Sequence, residues 1–324
     1  MAAPPHAPFS GPVEAVVAAR VARMHYLEDR SKVQIAEELG VTRFKVARLL
    51  DLARSSGLVR ITVAGVGSLE LELGRRLRDR FGLTHAVVAH VPQGDDERTR
   101  DELGAAAAHL LTRISTADDV LGIGWARVVL ALATHLRGLD AARVVQLTGA
   151  LARADVEPSS VDVVRSIARG VGAPASVFYA PMVVGDEQTA QGLYREAAVA
   201  EAVARFATVT KAVVGVGGWD PPSSTLHDAL TAPEQQAVRE CGVRADLSGV
   251  LLDERGLPVE TPVSRRIIGI SAAQLRRVPE VIGVAYALDK VPAALAGIRG
   301  GYLTSLVTHT EFAQRLLDDA DWAG

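Results

Sequence analysis

Hydrophobic residues recur at helical spacing in three successive segments near the start of the chain. The first spans residues 13–28, the second residues 32–39 and the third residues 43–55. Gly40, which follows the second segment, suits the left-handed conformation that ends a helix, and Thr42 suits the N-cap of the third. The pattern predicts three helices with a tight turn between the last two, and then a short strand at residues 58–63.

Two helices joined by a tight turn that contains glycine are typical of proteins that read the DNA major groove. Arg43 opens the third helix and is the predicted base contact, because arginine pairs bidentately with guanine. Thr42 can donate to a phosphate. The residues predicted to contact DNA are Lys32, Gln34, Thr42, Arg43, Lys45 and Arg48. The alternative is an ordinary three-helix unit with solvated arginines.

The rest of the chain alternates between short β-branched runs and helical stretches. The candidate strands are residues 86–90, 120–123, 144–147, 175–179, 211–216, 266–270, 281–285 and 305–308. The candidate helices between them include residues 101–114, 128–136, 160–170, 195–204, 292–298 and 311–317. This alternation predicts an α/β domain with a mostly parallel sheet, whose ligands bind beyond the carboxyl ends of the strands.

Charge is distributed unevenly between these two parts. Residues 11–63 carry nine basic and six acidic side chains, a net charge of +3, whereas the whole chain carries −3, which leaves −6 for the remainder. A basic segment before an acidic body suits a nucleic-acid contact, because phosphate neutralisation dominates nonspecific affinity. On charge alone, a chance excess on a solvated helical face is an equal alternative.

Composition narrows the class of protein further. The chain has 324 residues, 48% of them hydrophobic and 23% charged, which is a globular composition long enough for two domains. No uncharged apolar run reaches the ~18 residues of a membrane helix, and the first ten residues lack a signal-peptide pattern. A single cysteine, Cys241, and histidines without metal-ligand spacing indicate neither a disulfide nor a metal site. We therefore expect a cytoplasmic protein without membrane contact, metal or cofactor.

Several motifs, taken in order, resemble the SorC family of bacterial transcriptional regulators, which bind sugars or sugar phosphates. In the N-terminal helices the resemblance rests on residues 35–43, 46–50 and 56–59. In the body it rests on Leu69-Glu70, residues 77–83, 122–125 and 145–149, Ala180-Pro181, residues 215–217, Asp246, residues 266–270, Lys290 and residues 295–307. The resemblance covers residues 13–317.

The resemblance implies an organisation and a set of partners. It implies a helix-turn-helix DNA-binding domain at residues 11–63, a linker at 64–68 and an effector-binding and oligomerisation domain at 69–324. The sheet would be of the type found in sugar-phosphate isomerases and CoA transferases. Operator DNA and a small sugar or sugar phosphate would be the partners, and the chain would form a homodimer or homotetramer.

The predicted effector site is built from glycine-rich strand ends. Glycine after a strand lets the backbone approach an anion, and the helix N-terminus that follows favours it. The predicted effector-binding residues are Gly122, Gly124, Trp125, Ala126, Arg127, Gln146, Thr148, Gly149, Gly217, Asp246 and Lys290. We expect them to converge on one pocket, where the resemblance implies that Lys290 binds phosphate and Asp246 binds hydroxyls. Trp219 has two equal interpretations, stacking on a sugar ring or covering the core.

Some positions depart from the pattern of the family. Ala126 stands where a glycine is common, and Val128 where a hydroxyl-bearing residue is common. Tyr286 and Ala287 replace a Gly-Gly pair, and His309 lies in an altered Thr-Asp-Glu motif. A tyrosine in place of glycine is expected to narrow or reshape the pocket, so we expect a small phosphosugar or related polyol as the effector.

Two other classes of function remain open from the residues. One is an enzyme similar to sugar-phosphate isomerases, with Lys290, Asp246 and Glu187 as acid–base candidates. The other is a binding module whose N-terminal helices serve only assembly. The basic recognition helix favours a ligand-responsive DNA-binding regulator, either repressor or activator, and we expect no catalytic residues.

Overall fold

The computed structural model describes residues 12–59, 69–91, 94–151 and 159–319. The chain divides into two compact units, Met1–Ala64 and Gly65–Gly324. The predicted linker at residues 64–68 lies outside the described residues. No helix in the described ranges has both the length and the apolar character needed to cross a membrane.

Three helices form the first unit: α1 (Pro12–Tyr26), α2 (Lys32–Leu39) and α3 (Arg43–Ser55). Local interactions set the bounds of α2 and α3, which are those that the sequence predicts. Ser31 and Gln34 form a capping box at the start of α2, and Gly40 ends the helix in the left-handed conformation, with φ of 61°. At the start of α3, Thr42 Oγ1 accepts a hydrogen bond of 3.2 Å from the amide of Lys45.

The three helices enclose a hydrophobic core that includes Val21, Ile35 and Val46, one from each helix. Beyond α3 the prediction of a strand at 58–63 is wrong where it can be examined. Residues 58 and 59 form a bend, and residues 60–63 lie outside the described ranges. The amide of Val59 donates back to the carbonyl of Ala53, 2.9 Å away, so this segment packs on α3 instead of pairing with a strand.

The second unit combines helices with two sheets. Its helices are α4 (Leu71–Phe81), α5 (Asp96–Ile114), α6 (Arg127–His135), α7 (Ser160–Val171), α8 (Glu187–Arg195), α9 (Ala197–Ala204), α10 (Thr225–Asp228), α11 (Ala232–Glu240), α12 (Ala272–Leu275), α13 (Val291–Arg299) and α14 (Thr310–Leu317). Its strands are β1 (His85–Ala89), β2 (Val120–Ile123), β3 (Arg143–Gln146), β4 (Ala175–Ser176), β5 (Lys211–Gly215), β6 (Gly217–Gly218), β7 (Ala245–Leu247), β8 (Val250–Leu252), β9 (Glu280–Val284) and β10 (Ser305–His309). Short 3₁₀ turns lie at Arg205–Thr208, Ser264–Arg266 and Leu288–Lys290.

The larger sheet has seven strands in the order β1-β10-β9-β5-β2-β3-β4, and every neighbouring pair is parallel. This confirms the predicted α/β class with a large, mostly parallel sheet. Because the strands are parallel, the carboxyl ends of the adjacent strands β9, β5 and β2 lie at one edge. A second sheet of three antiparallel strands, β6-β7-β8, was not predicted from the sequence.

The larger sheet is buried on both faces, as parallel sheets usually are. Along β5, Val213 packs into the core formed with α5, α6 and α7. Its neighbours Ala212 and Val214 point the other way, into the core shared with α4, α13 and α14. Helices therefore cover both faces and leave the carboxyl edge as the place where loops can meet a ligand.

In the second unit one predicted strand is absent and one predicted helix is divided. Residues 266–270 are not a strand, although Ile268 is fully buried. The amide of Ile268 donates to the carbonyl of Met182, and its own carbonyl accepts from the amide of Gly149. Hydrogen bonds to the backbone of other loops thus satisfy the backbone groups of Ile268, and this segment does not pair with a strand of the larger sheet. The helix predicted at 195–204 is interrupted at Glu196, whose extended backbone separates α8 from α9.

The strand predicted at residues 175–179 is shorter than expected, because β4 ends at Ser176. The amide of Phe178 instead donates to the side chain of Gln146, 3.1 Å away. A side-chain acceptor thus replaces the next pairing position of the sheet.

Candidate functional site: a polar cavity at the carboxyl edge of the sheet

A cavity of about 220 Å³ lies beyond the carboxyl ends of β2, β5 and β9. The segment that follows each strand supplies part of its wall: residues 125–128 after β2, residues 216 and 217 after β5, and residues 286 and 287 after β9. The small antiparallel sheet and the start of α10 complete the wall. The strand order therefore places chain segments that are distant in sequence around one space.

Asp246 is the buried carboxylate of this cavity. It lies on β7 with 8% of its surface exposed. The hydroxyl of Ser224 donates to one carboxylate oxygen and the amide of Gly249 to the other, each at 2.7 Å. Burial raises the pKa of Asp246 above its ordinary value, although these two hydrogen bonds and the charge of Lys290 oppose the rise. The carboxylate is thus only partly compensated by its protein neighbours.

Lys290 supplies a cation to the wall of the same cavity. Its Nζ lies 5.7 Å from the centre of the Tyr286 ring, within the range of a cation–π contact. Burial lowers the pKa of Lys290; the charge of Asp289 opposes this, and that of Arg127 adds to it. Among the described residues no carboxylate oxygen lies within 4.0 Å of its ammonium. The ammonium therefore keeps its capacity to pair with an anionic ligand.

Helix α6 points its first turn at the cavity. The helix begins at Arg127, and its N-cap residue, Ala126, makes no side-chain cap hydrogen bond. Arg127 is exposed, and both Arg127 and Val128 line the cavity. A helix N-terminus carries partial positive charge and amides that favour anions. A second cation and a helix dipole thus face the same space as Lys290.

Two serine hydroxyls in the cavity wall lack a hydrogen-bond partner among the residues that the structure describes. They belong to Ser223 and Ser248. Ser248 occupies the two-residue turn between β7 and β8 with φ of 55°. Gly124 packs tightly beside it, because a Cβ at position 124 would clash with Ser248 Oγ and force the serine side chain to move. Buried hydroxyls without partners are costly unless a ligand or water bonds to them.

Comparison with known proteins identifies the family to which the chain belongs. Residues 67–318 match a family model described as "Putative sugar-binding domain" (Sugar-bind). The sorbitol operon regulator of Klebsiella pneumoniae is 26% identical over 306 residues, which is 92% of this chain and 96% of that protein. The crystal structure of full-length SorC from the same organism matches with a TM-score of 0.85 at 25% identity, covering 96% of this chain and 100% of that one.

The chain belongs to the SorC family of sugar-binding regulators. A further relative, the transcriptional regulator LsrR of Klebsiella pneumoniae subsp. pneumoniae, is 29% identical over 311 residues, 94% of this chain and 93% of that protein. One of these relatives is named as a transcriptional regulator and the other as an operon regulator, and neither is named as an enzyme. The resemblance found in the sequence motifs is thus confirmed.

The structure gathers some of the residues predicted for the effector site of this SorC-family chain. Those that line the cavity are Trp125, Ala126, Arg127, Gly217, Asp246 and Lys290. Gly124 lies just behind them, against Ser248. Gly122 is not part of the wall, because it lies within β2 and packs against Val209 and Leu147.

The strand end at residues 146–149 does not reach the cavity. Gln146 is fully buried, and its amide group is used within the fold: Nε2 donates to the carbonyl of Thr148 at 2.7 Å. Thr148 pairs with Gly269, and a Cβ at Gly149 would lie 2.6 Å from the carbonyl oxygen of Pro181. The chain beyond β3 turns toward residues 267–270 instead, so the expectation that Gln146, Thr148 and Gly149 would join the pocket is wrong.

Trp219 belongs to the core. It is completely buried, and its indole N–H donates to the carbonyl of Gln235 at 3.3 Å. Its ring meets His227 edge-on, with 5.1 Å between the ring centres. Of the two interpretations, covering the core is the one that the structure supports.

The acid–base trio of the enzyme alternative is not assembled. Glu187 lies in the first turn of α8, pairs with Arg265 at 3.7 Å and does not line the cavity that holds Asp246 and Lys290. Within the described ranges, no group of three or more histidine, cysteine or acidic side chains is placed to hold a metal ion.

Two departures from the family pattern are connected. Tyr286 lines the cavity and also a larger one of about 730 Å³ next to it. His309 Nε2 lies 2.6 Å from the carbonyl oxygen of Tyr286, and its Nδ1 accepts from the amide of Phe312 at the start of α14. With Nδ1 as acceptor, Nε2 carries the proton and donates a hydrogen bond to the backbone carbonyl of Tyr286. His309 therefore helps to position the backbone that carries Tyr286.

The residues predicted to contact DNA are exposed on the first unit. They are Lys32, Gln34, Thr42, Arg43, Lys45 and Arg48. Gln34 Oε1 accepts from the amide of Ser31, so this side chain is partly engaged in capping α2. Arg48 lies 3.2 Å from a carboxylate oxygen of Glu14. Arg43 and Lys45 have no ion-pair partner within the described part of the chain.

Sequence analysis missed Ser248 in the cavity. A signal for it exists: Ser248-Gly249 follows Asp246 between two apolar segments, which is typical of a two-residue hairpin turn. Recognising the hairpin predicts β7 and β8, and with them a serine beside Asp246. Its contact with Gly124 could not be predicted, because residues 124 and 248 meet only in the tertiary structure.

Proposed function

We propose that this SorC-family chain is a transcriptional regulator whose affinity for operator DNA is controlled by a small sugar phosphate bound in the polar cavity. The observation that carries the proposal is the composition of the cavity wall. Lys290, Arg127 and the N-terminus of α6 face the same space as Asp246 and the unpartnered hydroxyls of Ser223 and Ser248. The first set favours a phosphate, and the second favours sugar hydroxyls.

The two ends of the ligand would occupy different parts of this wall. The phosphate binds near Lys290 and the first turn of α6, and the hydroxyls bind Asp246, Ser223 and Ser248, because a carboxylate repels a phosphate. The volume of about 220 Å³ and the tyrosine at position 286 favour a small monophosphate. The unphosphorylated sugar would leave Lys290 without its anion and bind more weakly.

The DNA-binding half of the proposal rests on α2 and α3. Their capped ends and the exposed basic residues at the start of α3 support a helix-turn-helix, with α3 as the recognition helix. We assign residues 11–63 to DNA binding, 64–68 to a linker and 69–324 to effector binding and oligomerisation. The large parallel sheet supports kinship with sugar-phosphate isomerases and CoA transferases.

A selection experiment with the full chain tests both halves. Random duplexes are selected with and without a panel of pentose and hexose monophosphates, and Arg43→Ala is compared with Arg54→Ala, which alters the last turn of α3. We expect Arg43→Ala to cost about 1–3 kcal/mol on the enriched site and to relax its base preference. An unchanged preference removes Arg43 from base reading, and a preference that no sugar phosphate alters contradicts the effector role.

Assembly into a homodimer or homotetramer belongs to the same proposal. A single helix-turn-helix reads only a few base pairs, so paired half-sites need paired chains. Light scattering at micromolar concentration, with and without the enriched duplex, is expected to give at least a dimer. A monomer under both conditions contradicts this part.

A further inference from the structure

Phe44 is an exposed aromatic side chain on the first turn of α3. It has 83% of its surface exposed, more than any other large hydrophobic residue that the structure describes. Single exposed apolar residues are common and mean little by themselves. The position of Phe44 gives it meaning, because it lies between Arg43 and Lys45 at the start of the helix proposed to enter the major groove.

The local structure holds this ring on the outer face. Val46 and Leu49, both buried to 1% or less exposure, define the inner face of α3. The cap at Thr42 defines where the helix begins. Phe44 therefore shares the outer face with Arg48, one turn later, and cannot turn into the core without unwinding the first turn.

The charge around the ring indicates what covers it. Arg43, Lys45 and Arg48 are all exposed next to Phe44, so the surface suits a polyanion better than an apolar protein partner. Inside the major groove of DNA, the apolar group available to an aromatic ring is the 5-methyl of thymine. The basic side chains of this turn suit the phosphates on either side of the groove. The phenyl ring suits a thymine methyl inside it.

We propose that Phe44 is a specificity-determining residue that recognises the 5-methyl group of a thymine in each operator half-site. The inference rests on the proposed DNA-binding function and names a second base that the recognition helix would read. Arg43 reads a hydrogen-bonding base edge, whereas Phe44 reads a methyl group by excluding water from it. Discrimination by Phe44 therefore depends on the methyl and not on any hydrogen bond of the base.

Deoxyuridine tests this directly, because it pairs as thymine does and lacks only the methyl. The enriched duplex is synthesised with each thymine replaced in turn by deoxyuridine, and the affinity of the full chain is measured for each. We expect about a fourfold loss at one thymine per half-site, the effect of one buried methyl group. Phe44→Ala should bind the parent duplex more weakly and show no further loss at that position.

Leu27→Ala is the matched control, since Leu27 is 80% exposed but lies beyond the end of α1. Leu27→Ala should show the same loss of affinity on deoxyuridine substitution as the unaltered chain. Phe44→Leu, which keeps an apolar side chain, should show part of that loss. If no deoxyuridine weakens binding of the unaltered chain, or if Phe44→Ala shows the same loss, the inference is overturned while DNA binding stands. An enriched site without a fixed thymine overturns it equally. If selection enriches no duplex at all, the proposed function itself fails.

Discussion

Two aspartates near opposite ends of the large sheet are buried to almost the same degree, yet their pKa values move in opposite directions. Asp119, at the amino end of β2, is 7% exposed, and Asp246, in the cavity at the carboxyl edge, is 8% exposed. Burial alone raises the pKa of both carboxyls. The two carboxyls differ both in how deeply they lie below the surface and in the donors that surround them.

Asp119 is fully partnered. Its Oδ1 accepts from Lys211 Nζ and from Thr210 Oγ1, each at 2.7 Å, and its Oδ2 accepts from the amide and hydroxyl of Thr116. These donors outweigh the burial and bring its pKa to about 2. Asp246 has two donors and no lysine in contact, so burial prevails and its pKa rises.

The difference separates a structural ion pair from a candidate binding site. At the amino end the protein supplies every partner, so the pair fastens β2 to β5 and leaves nothing for a ligand. At the carboxyl edge Asp246, Lys290 and the hydroxyl of Ser248 are left incompletely satisfied. An incompletely satisfied polar cluster destabilises the empty protein and is stabilised when a complementary ligand binds.

The largest expected effect is on stability at the amino end. Asp119→Asn leaves the ammonium of Lys211 buried without its counter-charge, and we expect a loss of about 3–5 kcal/mol in the free energy of unfolding. Urea-induced unfolding measures it. Asp79→Asn, at an exposed carboxylate paired with Arg75, is the control and should change stability by less than about 1 kcal/mol. A small effect at Asp119 would break the comparison.

The next effect concerns ligand binding at the carboxyl edge. Lys290→Met keeps most of the apolar stem of the side chain but removes the charge, and with it the cation–π contact with Tyr286. We expect binding of a sugar monophosphate to weaken by about 10- to 100-fold, the value of a charge-assisted hydrogen bond of about 1.5–3 kcal/mol. Calorimetry with the phosphorylated and the free sugar checks it. Equal losses for both sugars would show that Lys290 does not bind the phosphate.

The depressed pKa of Asp119 predicts an acid-dependent loss of stability. Because its folded pKa of about 2 is below the ordinary 3.8, its contribution is present above pH 3.8 and is lost as the pH falls through 2. The contribution amounts to about 2 kcal/mol. Glu234 also has a pKa of about 2, so its titration affects stability over the same pH range. The free energy of unfolding is therefore measured for the unaltered chain and for Asp119→Asn across this range, and the difference between the two isolates Asp119. Parallel curves would contradict the prediction.

The smallest expected effect is on stability at Asp246. A raised pKa has the opposite sign: the contribution of this group is present below its ordinary pKa and is lost as the pH rises through the folded value. Asp246→Asn replaces a buried carboxyl, whose ionised form is disfavoured by burial, with a neutral amide, so we expect the melting temperature to stay equal or rise, with a change within about 1 kcal/mol in the free energy of unfolding. Binding of the sugar phosphate should weaken in the same variant. A loss as large as that of Asp119→Asn would remove the distinction between the two carboxyls.

The sequence by itself determined the features that depend on interactions between residues close together in the chain. The bounds of α2 and α3 follow from Ser31, Gly40 and Thr42, which act within a few residues of themselves. The parallel class of the sheet follows from alternating strands and helices, and the strand-end rule, together with the family resemblance, pointed to residues 124–127, Asp246 and Lys290. Each of these inferences depends on short-range pattern or on the general geometry of parallel sheets.

The tertiary structure alone decided which strand ends meet. The apolar run at 266–270 is satisfied by loop backbone near Gly149, so it forms no strand and draws residues 146–149 away from the cavity. The hairpin of β7 and β8 brings Ser248 against Gly124, and burial without a contacting lysine raises the pKa of Asp246. These outcomes depend on which distant backbone and side-chain groups satisfy one another on folding, and that competition cannot be read from a pattern along one segment.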